Sequence, residues 1–90
     1  MKYKLETDVS IFEIQEEPLG LWDLWVDNMP TLTFETPEEA AIAVYQQNTG
    51  YTVWDMLDKH TAPADISGWQ RIKEWQNQVA TIESYKYVYE

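Results

Sequence analysis

The sequence predicts an α+β domain, with a small, mainly antiparallel sheet of about four to five strands packed against two helices. Three observations carry that expectation. The first thirty-five residues alternate apolar and polar side chains with the period of two that a half-buried strand requires. The period then lengthens behind the helix-start signal Thr36-Pro37-Glu38-Glu39. A second stripe of helical spacing follows Pro63. Ninety residues are the length of one domain, taken as 1–90.

In chain order, Tyr3 and Leu5 alternate with Lys4 and Glu6, and Val9 to Gln15 is rich in β-branched and aromatic residues. From Leu21 to Asp27, Trp22, Leu24 and Val26 fall on one face and Asp23, Trp25 and Asp27 on the other. The first set is uniformly apolar and is expected to face the core. Thr31 to Glu35 repeats the pattern, with Leu32 and Phe34 inward. Asn28-Met29-Pro30 supplies a turn between these two runs, making them a hairpin.

Thr36 is placed to cap a helix, Pro37 fits its first position, and Glu39 completes a capping box. Glu38 and Glu39 also lie at the positive end of the helix dipole. Ala41, Val44 and Tyr45 form its packing stripe, and Gly50 offers a stop. Tyr51 to Leu57 admits two readings. Tyr51-Thr52-Val53-Trp54 has strand composition, which is the preferred reading. Thr52 with Asp55 three residues on resembles a helix start. Trp69, Ile72, Trp75, Val79 and Ile82 recur at helical spacing, begun by Asp65 or Ser67. Ser84 to Tyr89 alternates as a final strand, with Lys86 placed to blunt an exposed edge.

Composition bounds the chemistry. With 44% hydrophobic and 14% aromatic residues the chain can build a core, and disorder is not expected. There is no cysteine, which removes disulfides, thiolate ligands and thiol nucleophiles, and which fits a reducing, cytoplasmic location. No stretch approaches the ~20 apolar residues of a membrane span, and Met1 to Glu6 lacks the apolar core of a secretory signal.

The formal net charge is −10, and its distribution is uneven. From Leu5 to Asp58 there is no Lys or Arg, against twelve carboxylates: Glu6, Asp8, Glu13, Glu16, Glu17, Asp23, Asp27, Glu35, Glu38, Glu39, Asp55 and Asp58. From Lys59 onward four basic residues balance four acidic ones. Such a field repels nucleic acid and anionic membranes and attracts basic partners. It also keeps a protein dispersed, which is its plainest role.

Catalytic signatures are absent. His60 is the only histidine, too few for a structural zinc site or for the base of a triad. Asp55 and Asp58 lack the spacing of a calcium loop. Ser10, Ser67 and Ser84 lie in no nucleophile elbow, and Gly20, Gly50 and Gly68 are isolated, so no loop cradles phosphate. A carboxylate-pair enzyme needs a cleft deep enough to raise one carboxyl pKa, which a chain this small rarely builds. No cofactor is expected.

Five Trp and six Tyr are a heavy aromatic load. Core filling accounts for Trp22, Trp69 and Trp75 on the apolar stripes. Trp25 points to the other face between Asp23 and Asp27, where it either anchors a partner or lies beneath a covering helix. The leading expectation is an acidic protein–protein interaction module, an inhibitor or adaptor that is not an enzyme. It would present Asp23, Trp25, Asp27, Glu35, Glu38, Glu39, Trp54, Asp55 and Asp58 to a basic site on a partner, for example on a nucleic-acid-binding protein. In the sharper form it mimics nucleic acid, as anti-restriction and anti-CRISPR proteins do. Twelve carboxylates match the charge of roughly 20 Å of duplex, and a chain of this length has a radius of gyration of about 12 Å. The alternatives are a carbohydrate or small-ligand module built on Trp25, Trp54 and nearby carboxylates, and an enzyme using a carboxylate pair.

Overall fold

The computed structural model describes residues 1–72. Five strands form one antiparallel sheet: β1 (Lys2–Glu6), β2 (Ile11–Glu16), β3 (Trp22–Val26), β4 (Met29–Phe34) and β5 (Gln70–Ile72). Their order across the sheet is β4-β3-β2-β1-β5, so four strands meander and the fifth returns to pair with the first. Helix α1 (Pro37–Tyr45), the one-turn helix α2 (Thr52–Asp55) and a 3-10 turn at Ile66–Gly68 complete the α+β fold.

The strand alternation predicted from the sequence sorts the two faces. Register places Tyr3, Ile14, Leu24 and Leu32 in one inward row, and Leu5, Phe12 and Val26 in the next. Phe12, Ile14, Leu24 and Val26 are fully buried beneath Ala40, Ala41 and Val44 of α1. Small alanines let the helix backbone lie close to the sheet, and each large buried side chain contributes about 1.5–3 kcal/mol. The opposite face carries Lys2, Lys4, Glu13, Gln15, Asp23, Trp25 and Thr33.

The β3–β4 turn lies one residue earlier than the sequence suggested. Asp27 and Asn28 hold φ of 50° and 70°, the two left-handed residues of a tight hairpin turn, and Met29 already pairs with Val26. Pro30 sits in β4 beside a register shift between Leu24 and Trp25. An edge strand with a bulge is where a proline, lacking its N–H, is tolerated.

Helix α1 begins as expected. The Thr36 hydroxyl accepts from the Glu39 N–H at 3.1 Å, while the Glu39 carboxylate reaches back to the Glu35 N–H, one residue beyond the usual capping-box partner. Its end differs from the expectation. Gly50 is not the stop; Gln47 takes the left-handed conformation at φ 58°, its N–H donates to the Val44 carbonyl, and the Asn48 N–H donates to Ala43. That is the paired closure of a Schellman motif. Gln47 is held there because its amide donates to the carbonyls of Trp54 and Leu57, at 2.9 and 2.8 Å, capping α2.

Two further expectations are corrected. Thr52–Asp55 is helical, and strand composition at Tyr51–Trp54 is overridden by the Asp55 carboxylate. That group accepts from the N–H groups of Thr49 and Gly50 and from the Thr49 hydroxyl, folding the loop back on the helix. Trp69 and Ile72 do not start a helix. Asp65 caps a 3-10 turn, Trp69 is extended and buried against Phe12, and Gln70–Ile72 pairs with the otherwise open edge of β1. In extended backbone these two residues do not share a face: Trp69 packs into the core while Ile72 stands opposite Lys2, and β1 supplies the backbone partners. The helical positions Trp75, Val79 and Ile82 and the strand at Ser84–Tyr89 lie outside the described residues. Among the described residues, no helix is long and apolar enough to cross a membrane.

Candidate functional site

The acidic residues separate by the topology of the sheet. The end of β2, the start of β3, the end of β4 and the start of α1 all lie at one end. That end carries Glu16, Glu17, Asp23, Glu35, Glu38 and Glu39. The other end carries Glu6, Asp8 and Asp27 on the turns that open and close β2 and β3. Asp23 and Asp27 are four residues apart along extended backbone, about 13 Å. The structure therefore brings Asp23, Glu35, Glu38 and Glu39 to one end and leaves Asp27 at the other.

Several carboxylates are consumed by the fold. Glu13 lies 3.8 Å from the Lys2 ammonium and accepts from the Gln15 amide at 2.7 Å. Glu6 lies 3.2 Å from Lys4. Glu16 lies 3.9 Å from the amino group of Met1. Asp27 accepts from the Ile11 N–H at 2.8 Å, fixing the start of β2. Asp55 is the anchor of the Thr49–Gly50 loop. Asp58 is exposed beside Lys59. The two lysines of β1 thus offset Glu6 and Glu13, and Lys2, in the cross-strand row of Gln15 and Asp23, together with the Met1 amino group beside Glu16, borders the carboxylate-rich end on its β1 side.

At that end, Glu17 and Asp23 come within hydrogen-bonding reach of each other. The Asp23 carboxylate already accepts from the Thr33 hydroxyl at 2.7 Å. The hydrogen bond to Asp23, with desolvation and the Asp23 charge adding to it, holds the Glu17 carboxyl above the ordinary glutamate range. Glu17 is presented by a short loop closed by its N–H donating to the Leu21 carbonyl at 2.7 Å, with Gly20 at φ 93° making the reversal. Next to this pair, one strand across, Glu35 follows the end of β4 and leads into Glu38 and Glu39 on the first turn of α1.

Glu17 was not among the residues singled out from the sequence. Its signal lay in the alternation: Glu13, Gln15 and Glu17 share the outer face with Asp23 and Trp25 once the hairpin register is known. The aromatic candidates fall differently. Trp25 lies on the outer face between Glu13 and Pro30, half-buried, with its indole N–H buried and without a hydrogen-bond partner among the described residues. Trp54 is a core residue, 1% exposed, packed edge-on against Phe12 at 4.8 Å, with its indole N–H donating to the Val44 carbonyl at 2.9 Å. Its indole is no surface anchor.

His60 is also structural. Its Nε2 bonds the Tyr45 carbonyl at 2.8 Å, its Nδ1 accepts from the Ala62 N–H at 3.1 Å, and its ring packs on Trp54 and Tyr45. Those partners require a neutral ring with the proton on Nε2. Among the described residues no group of three or more histidines and carboxylates is arranged to hold a metal. The chain matches no protein-family model, no curated protein and no solved structure.

Proposed function

We propose that this chain is an acidic interaction module that works by binding, with the end of the sheet bearing Glu17, Asp23, Glu35, Glu38 and Glu39 as its contact surface for a basic site on a protein partner. The observation that carries this reading is the strand pairing that gathers these carboxylates at one end of the sheet, where the β2–β3 loop, the start of β3, the end of β4 and the start of α1 meet. Carboxylates gathered in this way repel one another, and an incoming cation relieves that repulsion. Four chain segments contribute carboxylates to the same end, and Lys2 and the Met1 amino group of the adjoining β1 stand at its margin, two strands from Asp23.

The grouping favours a compact acidic knob over a long duplex-like row, because Asp27 and Asp8 lie at the far end and Glu6 and Glu13 are paired with lysines. A carboxylate-pair enzyme is less well supported. Glu17 and Asp23 stand at an open loop and strand end, and a general acid needs a cleft that holds substrate against it.

The test is a 1H–15N NMR titration with deca-lysine as the probe. Shifts concentrated at Glu17, Asp23, Thr33, Glu35, Glu38 and Glu39, and abolished by molar salt, support the reading. Shifts spread over both ends of the sheet contradict it.

A further inference from the structure

A second site is formed at the opposite end, where the β1–β2 turn faces the loop after α2. Asp8, Val9, Trp54, Lys59, His60 and Thr61 line an open-sided cavity of about 300 Å³. That volume is at the small end of the range for small-molecule sites, about 300–1,000 Å³.

Its walls are fixed by bonds that belong to the fold. The Thr7 hydroxyl accepts from the N–H groups of Val9 and Ser10 and donates to the Ser10 carbonyl, which sets the turn bearing Asp8. Both ring nitrogens of His60 are held by backbone, and the Trp54 indole is held by Val44. The Leu57 carbonyl, two residues before Lys59, is held by Gln47.

The polar groups left over are the informative ones. The Asp8 carboxylate, the Lys59 ammonium and the Thr61 hydroxyl all border the cavity, and none of the three side chains has a hydrogen-bond or ion-pair partner among the described residues. Asp8 and Lys59, both exposed, border the same lining as Val9 and Trp54 without forming an ion pair with each other. That is the complement of a small molecule carrying both charges. We propose that this cavity binds a free α-amino acid with an aliphatic side chain, its ammonium on Asp8, its carboxylate on Lys59 and Thr61, and its side chain over the exposed Val9. Each end then makes a charge-assisted hydrogen bond, and a ligand bearing one charge leaves the other protein group unmatched.

The experiment is a 1H–15N NMR titration of the full chain with L-leucine, N-acetyl-L-leucine, L-leucinamide and glycine, each up to about 50 mM. L-Leucine is expected to give saturable shifts at Asp8, Val9, Lys59, Thr61 and the Trp54 indole N–H. N-Acetyl-L-leucine and L-leucinamide are each expected to bind at least about tenfold more weakly, and glycine more weakly than leucine. Asp8→Asn removes the discrimination against the acetylated form, and Lys59→Met removes the discrimination against the amide. Absence of saturable shifts with L-leucine, or equal affinity for leucine and its two blocked forms, overturns the proposal. The blocked ligands are compared on the unaltered protein, so the result stands whether or not the variants fold.

Discussion

The carboxyl group of Glu17 stands beside that of Asp23, and the hydrogen bond that a proton on Glu17 makes to Asp23 holds the Glu17 pKa above the ordinary glutamate range. A raised folded-state pKa means that the folded protein binds the Glu17 proton more tightly than the unfolded chain does. The associated stability is fully present below the unfolded-state value and is lost as pH rises through the raised folded-state value. At pH 7 the ionised pair is therefore a cost. Glu17→Gln, which can donate to Asp23 without charge, is expected to raise the Tm at pH 7. The gap to the unaltered protein should close as the pH is lowered through the glutamate range. Thermal melts across that range check this; an unchanged or lower Tm for Glu17→Gln at pH 7 would count against the pair.

Asp65 gives the opposite sign. The hydroxyl and then the N–H of Ser67 hold its carboxylate below the ordinary aspartate range. Its contribution is present above the unfolded-state value and is lost as pH falls through the lowered folded-state value. Asp65→Ala is expected to lower the Tm at pH 7 and to have progressively less effect in acid. Melts of the variant and the unaltered protein at matched pH would show the two curves converging.

Asp55 predicts a purely structural phenotype. Thr49 is fully buried, and both its N–H and its hydroxyl depend on the Asp55 carboxylate. Asp55→Ala leaves these donors without an acceptor and is expected to cost about 2–3 kcal/mol. Asp55→Asn, which keeps one oxygen, should cost less. Urea denaturation measures both, and an Asp55→Ala variant as stable as the parent would remove the loop anchor from the account.

The two tryptophans first taken together as binding candidates should separate cleanly. Trp54→Ala empties the centre of the core and is expected to cost about 3–5 kcal/mol. Trp25→Ala removes a half-buried side chain from the outer face and should cost clearly less. Equal losses in urea denaturation would contradict this assignment of the faces.

The β-sheet was legible because alternation is local: Trp22, Leu24 and Val26 face inward as their spacing requires, and Thr36 caps where its motif stands. The misreadings share a cause. At Thr52–Asp55 and at Gln70–Ile72 the local composition allows two conformations, and distant partners choose between them. Those partners are Thr49 and Gln47 in the first case and β1 in the second. The acidic stretch was legible as charge but not as a surface. Lys2 and Lys4 lie outside it in sequence, yet β1 lies against β2 and brings them onto its carboxylates. The same register placed Glu17 beside Asp23 and removed Asp27 to the far end.

The central claim is that one end of the sheet, and not net charge alone, makes the binding surface. It is tested most directly by two variants of equal charge. One carries the amides of Asp23, Glu35, Glu38 and Glu39, and the other carries the amides of Glu6, Asp8, Asp27 and Asp58. Each is titrated against fluorescent deca-lysine at ionic strength near 0.05 M, where surface charges still act over more than about 10 Å. The account predicts that the first variant loses at least about tenfold in affinity and the second less than about threefold. Equal losses in the two variants would contradict it.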